Sequence, residues 1–146
     1  MNQKYLKRIV AQYVRDKEVP YLKSIRAPKD VVEQFNYLST RDREEFVSIH
    51  LDKGNQLLCW DRVSIGGLSE ALVSAREVVK TALLSNAASL ILVHCHPSGR
   101  TGPSEEDRTM TQKLAEAAQL FSIKILDHII IGNDSAYFSF QEHGLL

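Results

Sequence analysis

Ala88-Ser89-Leu90-Ile91-Leu92-Val93-His94-Cys95-His96-Pro97 decides the fold of this chain. The run from Ala88 to Val93 is short and nearly all apolar, as a central strand covered on both faces requires. It stops at a histidine, a cysteine, a second histidine and a proline, so polar chemistry begins where the strand ends. Residues two apart on a strand point the same way. His94 and His96 therefore aim two imidazoles at one point, at the end of a strand where sites form in α/β sheets.

Downstream, Pro97 to Pro103 is a loop rich in proline and glycine. A helix follows over 104–121, with Met110, Leu114, Ala117, Ala118 and Phe121 on one face. Ile123 to Ile131 reads as another buried strand, closed by Gly132-Asn133-Asp134, and Ala136 to Phe140 as a final hairpin strand. Upstream, Ser74-Ala75-Arg76-Glu77 is a capping-box pattern that opens a helix to about Ser85. Phe46 to Leu51 alternates as a half-buried strand does. The turn Asp52-Lys53-Gly54-Asn55 returns the chain along Gln56 to Ser64, which Gly66-Gly67 ends. A helix from Pro28 or Lys29 to about Leu38 buries Val31, Val32, Phe35 and Leu38, its proline suited to a first turn. Pro20 and Pro28 bracket a link, and residues 2–16 read as a helix with Tyr5, Ile9 and Tyr13 on one side. Strands alternating with helices, plus two hairpins, give an α/β sandwich with a mixed sheet.

The 146 residues suffice for one compact domain, and 44% apolar with 25% charged residues is the composition of a globular protein. No stretch approaches the ~18 apolar residues of a membrane helix, and no secretory signal opens the chain. Cys59 and Cys95 make no disulfide framework, so a reducing cytoplasm is the expected compartment. Residues 1–29 hold eight Lys/Arg against two acidic residues, a balance of +6, and residues 30–146 carry −6. The division is thus a basic helical arm over 1–26 and a domain over 27–146. The acidic body argues against a broad nucleic-acid surface. The arm can make weak DNA contacts or meet an acidic partner, although a solvated helix face is the simpler reading.

Asp107 falls in the first turn of the helix after the loop and can approach the point at which His94 and His96 aim. Two neutral imidazoles and one carboxylate leave a fourth tetrahedral position for water, the pattern of a catalytic zinc site. Zinc (Zn2+) there lowers the pKa of its water to about 7 and polarises a carbonyl. Each piece also has a structural reading. Histidines at a strand end can bond to the loop, and Ser104-x-x-Asp107 is itself a capping box. The two roles are compatible, since a cap can fix the Asp107 backbone while its side chain binds metal.

His94-x-His96, seven residues, then Ser104-x-x-Asp107 resembles the JAMM (MPN-plus) metallopeptidase signature. Val93-His94-Cys95-His96-Pro97-Ser98-Gly99, Gly102-Pro103-Ser104, Ser64-Ile65-Gly66, Arg76-Glu77-Val78, Asn86-Ala87-Ala88 and Leu126 to Gly132 resemble its RadC branch, over about Ile25 to Leu146. The resemblance implies a three-layer JAMM/cytidine-deaminase-like sandwich with zinc held by His94, His96 and Asp107. It implies that Ser104 bonds to the substrate oxyanion or the zinc water. It also implies an upstream glutamate as general base and acid. Of Glu44 and Glu45, the branch pattern Arg-Glu-x-Phe selects Glu44. Cys95 stands where the branch usually has Asn, and as a strand neighbour of the histidines it should point away from them. The chain reads as a short form without the helix-hairpin-helix domain of long RadC-like proteins, which weakens any DNA association inferred from them. His128 reads as a histidine that packs or supports the site rather than a ligand.

The expected activity is that of a zinc-dependent peptidase or isopeptidase acting on a protein or peptide. The alternative is a DNA-associated protein of RadC type, either a metal-dependent nuclease or a non-enzymatic interaction module. A zinc deaminase would want HxE or CxE with a later PCxxC, and neither occurs. A two-metal nuclease would want further clustered carboxylates near the site.

Overall fold

The computed structural model describes residues 6–15, 17, 19, 24–66 and 73–146. Five strands, β1 Glu45–Leu51, β2 Leu57–Ile65, β3 Ser89–Cys95, β4 Lys124–Ile131 and β5 Tyr137–Ser139, form one mixed sheet in the order β2-β1-β3-β4-β5. β1 pairs antiparallel with both β2 and β3, β3 pairs parallel with β4, and β5 returns antiparallel along β4. The apolar run read from the sequence is therefore the middle strand, and all seven of its residues are buried.

Side-chain alternation on β1 and β3 divides the core into two layers. Val47, Ile49, Leu51, Ile91, Val93 and Cys95 face α1 (Pro28–Gln34) and the 3-10 turn Asn36–Thr40, where Val31, Val32, Phe35 and Leu38 cover them. Phe46, Leu90 and Leu92 face α2 (Ala75–Leu84) and α3 (Glu105–Gln119), which bring Val78, Ala82, Met110, Leu114 and Ala118. Helices on both faces make the expected three-layer sandwich. Ser74 caps α2 as its pattern predicts, its hydroxyl accepting the Glu77 N–H. Trp60 packs edge to face on Phe35 at 5.6 Å.

Four expectations change. Residues 6–15 form no helix, and Leu6, Ile9, Val10, Tyr13 and Val14 are exposed. An apolar stripe with no surface to cover gains nothing by coiling, and a lone helix of that length is marginal in water. Tyr5, Pro20 and Gly67, used in the sequence reading, lie outside the described residues. The helix from Pro28 ends at Gln34 and continues only as the tighter turn. α3 stops at Gln119, so Phe121 falls beyond it and is exposed. β1 is buried on both faces rather than one.

The polar residues of β1 mislead because they are satisfied inside the protein. His50 shares hydrogen-bonding distance with Ser48 Oγ (2.9 Å) and Ser85 Oγ (2.7 Å). Ser85 spends its own proton on the Ala82 carbonyl, so the His50 Nδ1–H donates to Ser85 and Ser48 donates to Nε2. Burial pushes the His50 pKa down to about 4. The unfolded chain takes up that proton near pH 6.5 and the folded one does not, so this contribution to stability is present above pH 6.5 and lost between 6.5 and about 4. We expect His50→Gln to reduce the loss of unfolding free energy between pH 7 and 4.5 by about 2 kcal/mol, measured by urea titration at both pH values.

Candidate metal centre

His94 is the penultimate residue of β3 and His96 follows its end. The loop then turns back on itself against the end of β4. Gly99 takes φ +72°, and a Cβ there would lie 2.1 Å from the Asn133 side chain; one on Gly132 would lie 2.5 Å from the Gly99 carbonyl oxygen. Only glycines permit this approach, which the Asn133 N–H closes by donating to Gly99 O. The loop delivers α3 with its N-terminus beside the histidines. Ser104 Oγ accepts the Asp107 N–H at 3.0 Å, and Asp107 Oδ2 accepts the Ser104 N–H at 2.7 Å. The capping box is real, and the same carboxylate reaches the histidines.

His94 Nε2 lies 3.0 Å from His96 Nε2 and 3.3 Å from Asp107 Oδ1, and His96 Nε2 lies 3.3 Å from Asp107 Oδ2. Ligand bonds of about 2.0–2.1 Å around a tetrahedral zinc put neighbouring donors about 3.3 Å apart. The donor chemistry fits as well. His96 Nδ1 donates to the Arg100 carbonyl at 2.9 Å, which leaves a lone pair on its Nε2 when the ring is neutral. Lone pairs that converge beside a carboxylate repel unless a cation lies among them. These three residues are the group among the described residues whose ligand atoms can hold a metal ion together.

The electrostatics follow from burial and contact. Burial pushes the His94 imidazole down, against the pull of Asp107. The Asp107 hydrogen bond holds His96, which is less buried, up. Burial alone would raise the Asp107 carboxyl, but the His94 and His96 rings beside it and the Ser104 N–H outweigh that and keep it well below the carboxylate range. A carboxylate ionised while 3% exposed is what a cation site needs.

The two glutamates part here. Glu45 points to the α1 side, 2% exposed, and accepts hydrogen bonds from Tyr37 Oη and Arg62 Nε, each at 2.7 Å, with Arg41 at 3.4 Å. That carboxylate is fully engaged. Phe46 pairs with His94 across β1 and β3, and Glu44 precedes β1 by one residue, its carbonyl accepting the Gly66 N–H. Alternation carries Glu44 to the histidine side of the sheet, and its charge acts on both His94 and His96 behind the larger effects of burial and Asp107. Ser104 is exposed at the start of α3. Cys95 points away as expected, its thiol meeting the Arg43 carbonyl at 3.6 Å. His128 is fully buried, 2.7 Å from His94 Nδ1 and 2.6 Å from Thr111 Oγ1. Thr111 was not apparent as a site residue in the sequence, where its one signal is a position four residues after Asp107 on the same helix face. A cleft of about 1300 Å3 lies elsewhere, between residues 11–15 and β2, and touches none of the three ligand candidates.

Residues 25–145 match the RadC-like JAB domain. The UPF0758 protein YfjY of Escherichia coli K12 is 50% identical over 105 residues, 72% of this chain and 65% of that protein. The UPF0758 protein YkfG of the same organism is 46% identical over 110 residues, 75% of this chain and 69% of its own length. A UPF0758 protein of Methanosarcina mazei is 44% identical over 125 residues, 85% of this chain and 54% of its own length. The chain thus spans about half to two thirds of the length of these relatives.

Ion binding to the folded state raises stability by about 2.7 kcal/mol at a hundred times Kd. We expect Zn2+ added to chelator-treated protein to raise its Tm accordingly. Asp107→Asn, which keeps an oxygen for the Ser104 N–H but drops the charge, should lose most of that rise in thermal unfolding followed by circular dichroism.

Proposed function

This chain belongs to the RadC-like JAB family, and from that premise we propose that it is a zinc-dependent hydrolase that cleaves an amide bond in a protein or peptide, as a peptidase or isopeptidase. The observation that carries the reading is the convergence of two imidazole nitrogens and a carboxylate within 3.0–3.3 Å, with an acidic side chain on the same side of the sheet. Zinc bound there would supply a water of pKa about 7 and a Lewis acid for the scissile carbonyl. Glu44 takes a proton from the attacking water and delivers it to the departing amine, so the proton lost by the nucleophile is the one the leaving group gains. Ser104 uses its lone pairs on the Asp107 N–H, which frees its O–H to donate to the carbonyl oxygen as negative charge builds there. His94, His96 and Asp107 would hold the metal, and the Asp107 carboxylate would neutralise part of its charge.

A second reading rests on the charge of the arm. Residues 1–29 carry a balance of +6, and Lys7, Arg8 and Arg15 are exposed. Contact with DNA phosphates through this segment is compatible with hydrolysis at the sheet.

Two experiments separate these readings. We expect Glu44→Gln to retain stoichiometric zinc by metal analysis and to lose about 10²–10⁴-fold in turnover. Cleavage products in a cell extract, read by N-terminal labelling and mass spectrometry, should appear with the wild-type protein and not with this variant; equal product from both overturns Glu44 as the base. For the arm, a version lacking residues 1–15 should bind duplex DNA more weakly at low salt, with the difference vanishing as salt rises. Identical binding by both versions removes the arm from that role.

A further inference from the structure

Behind the ligand His94 runs a line of buried hydrogen bonds whose direction is set by one proton. Thr111 Oγ1 lies 2.6 Å from the Asp107 carbonyl oxygen and 2.6 Å from His128 Nδ1, and His128 Nε2 lies 2.7 Å from His94 Nδ1. A carbonyl cannot donate, so the single Thr111 hydroxyl proton goes to Asp107 O. His128 Nδ1 must then carry the proton it shares with Thr111, which leaves Nε2 as an acceptor. His94 Nδ1 must in turn donate to it. The proton of the neutral His94 ring thus sits on Nδ1, and the lone pair of Nε2 faces His96 and Asp107.

We propose that His128 and Thr111 are positioning residues that select the metal-binding tautomer of His94 and fix the plane of its ring. The inference rests on the reading of His94, His96 and Asp107 as a metal site. The surroundings confine Nδ1 to this partner. His94 and His128 are each 0% exposed, so no water can satisfy Nδ1. Phe46 stacks on His94 at 6.0 Å, and Phe140 stacks on His128 at 4.7 Å, so both rings are walled by carbon. The backbone of His128 is held too, because its N–H donates to Asp127 Oδ1, a carboxylate also bound by Ser139 and Gln141. The line also closes on itself through covalent structure. It starts at one ligand, His94, and ends on the main chain of another, Asp107, so the end of β3 and the first turn of α3 are held in register by His128 on β4.

The test uses the full chain. In metal-free wild-type protein, long-range proton–nitrogen NMR should find the His94 proton on Nδ1 and the His128 proton on Nδ1; a His94 proton on Nε2 overturns the proposal. Zinc affinity by competition with a chromophoric chelator should fall about ten- to a hundred-fold in His128→Phe. His128→Gln offers an amide oxygen in place of Nε2 and should recover most of that loss. Thr111→Val, which keeps shape and deletes the hydroxyl, should weaken zinc several-fold in the wild-type background and have no further effect beside His128→Phe. A role in packing alone predicts additive effects and no rescue by Gln, and either result overturns the proposal, as does wild-type zinc affinity in folded His128→Phe. If His128→Phe does not fold, Thr111→Val and the NMR of the wild type still decide it. Wild-type protein that takes up no zinc would overturn the metal reading instead, and the tautomers in the metal-free protein would still be read.

Discussion

Asp107 is a carboxylate at 3% exposure, and withdrawing it from water costs several kcal/mol unless other groups replace that water. Three kinds of group do so. The N-terminus of α3 presents partial positive charge, the Ser104 N–H donates to Oδ2, and two imidazoles approach both oxygens. These partners come from two pieces of chain, the end of β3 and the start of α3, so the need to satisfy one acidic group ties them and the loop between them into one arrangement. Two glycines follow from the same demand, since Gly99 in the loop and Gly132 after β4 let the two segments lie close enough to bring α3 back over the strand end.

The division of labour between the two faces of the sheet follows from β1 and β3 pairing in register. On one face, Glu45 is bound by Tyr37, Arg41 and Arg62 and helps join β1, the turn after α1 and β2. On the other, Glu44 and the histidines share the side covered by α2 and α3. Two adjacent glutamates thereby do unrelated work, one in the framework and one beside the candidate site. The buried ion group on the framework side keeps β1 from slipping, because a shift of one residue would exchange Glu44 and Glu45.

Local pattern was enough to read His94, His96 and Asp107, since strand alternation and a helix cap both act over a few residues. It also placed the central strand, the hairpin turn and the start of α2. What it missed depends on partners far away in the chain. Ser48 and His50 look like the wet side of a strand until Ser85, 35 residues from His50, is brought under them. The apolar stripe of residues 6–15 predicts a helix only if something is there to cover it. Glu44 was chosen over Glu45 by resemblance, because the physical reason, Arg62 across the hairpin, is 17 residues from Glu45. The contact of Thr111 with His128 likewise spans 17 residues and two elements. Membership of the RadC-like JAB family supports the fold and the ligand group together.

Cys95 sits between two metal-ligand candidates and takes no part in the site, because the strand turns its sulfur to the other face, 1% exposed among Val93, Ile129 and Ile131. That arrangement would filter which ion such a group could take. Imidazole and carboxylate favour a borderline ion such as zinc, whereas a thiolate draws copper(I) and other soft ions. A single-residue slip or bulge at the end of β3 would replace an imidazole by sulfur and change the preferred metal class. The pleat of one strand, held by its neighbours on both sides, thus keeps a thiol that the sequence puts within one residue of both candidate ligands out of their group.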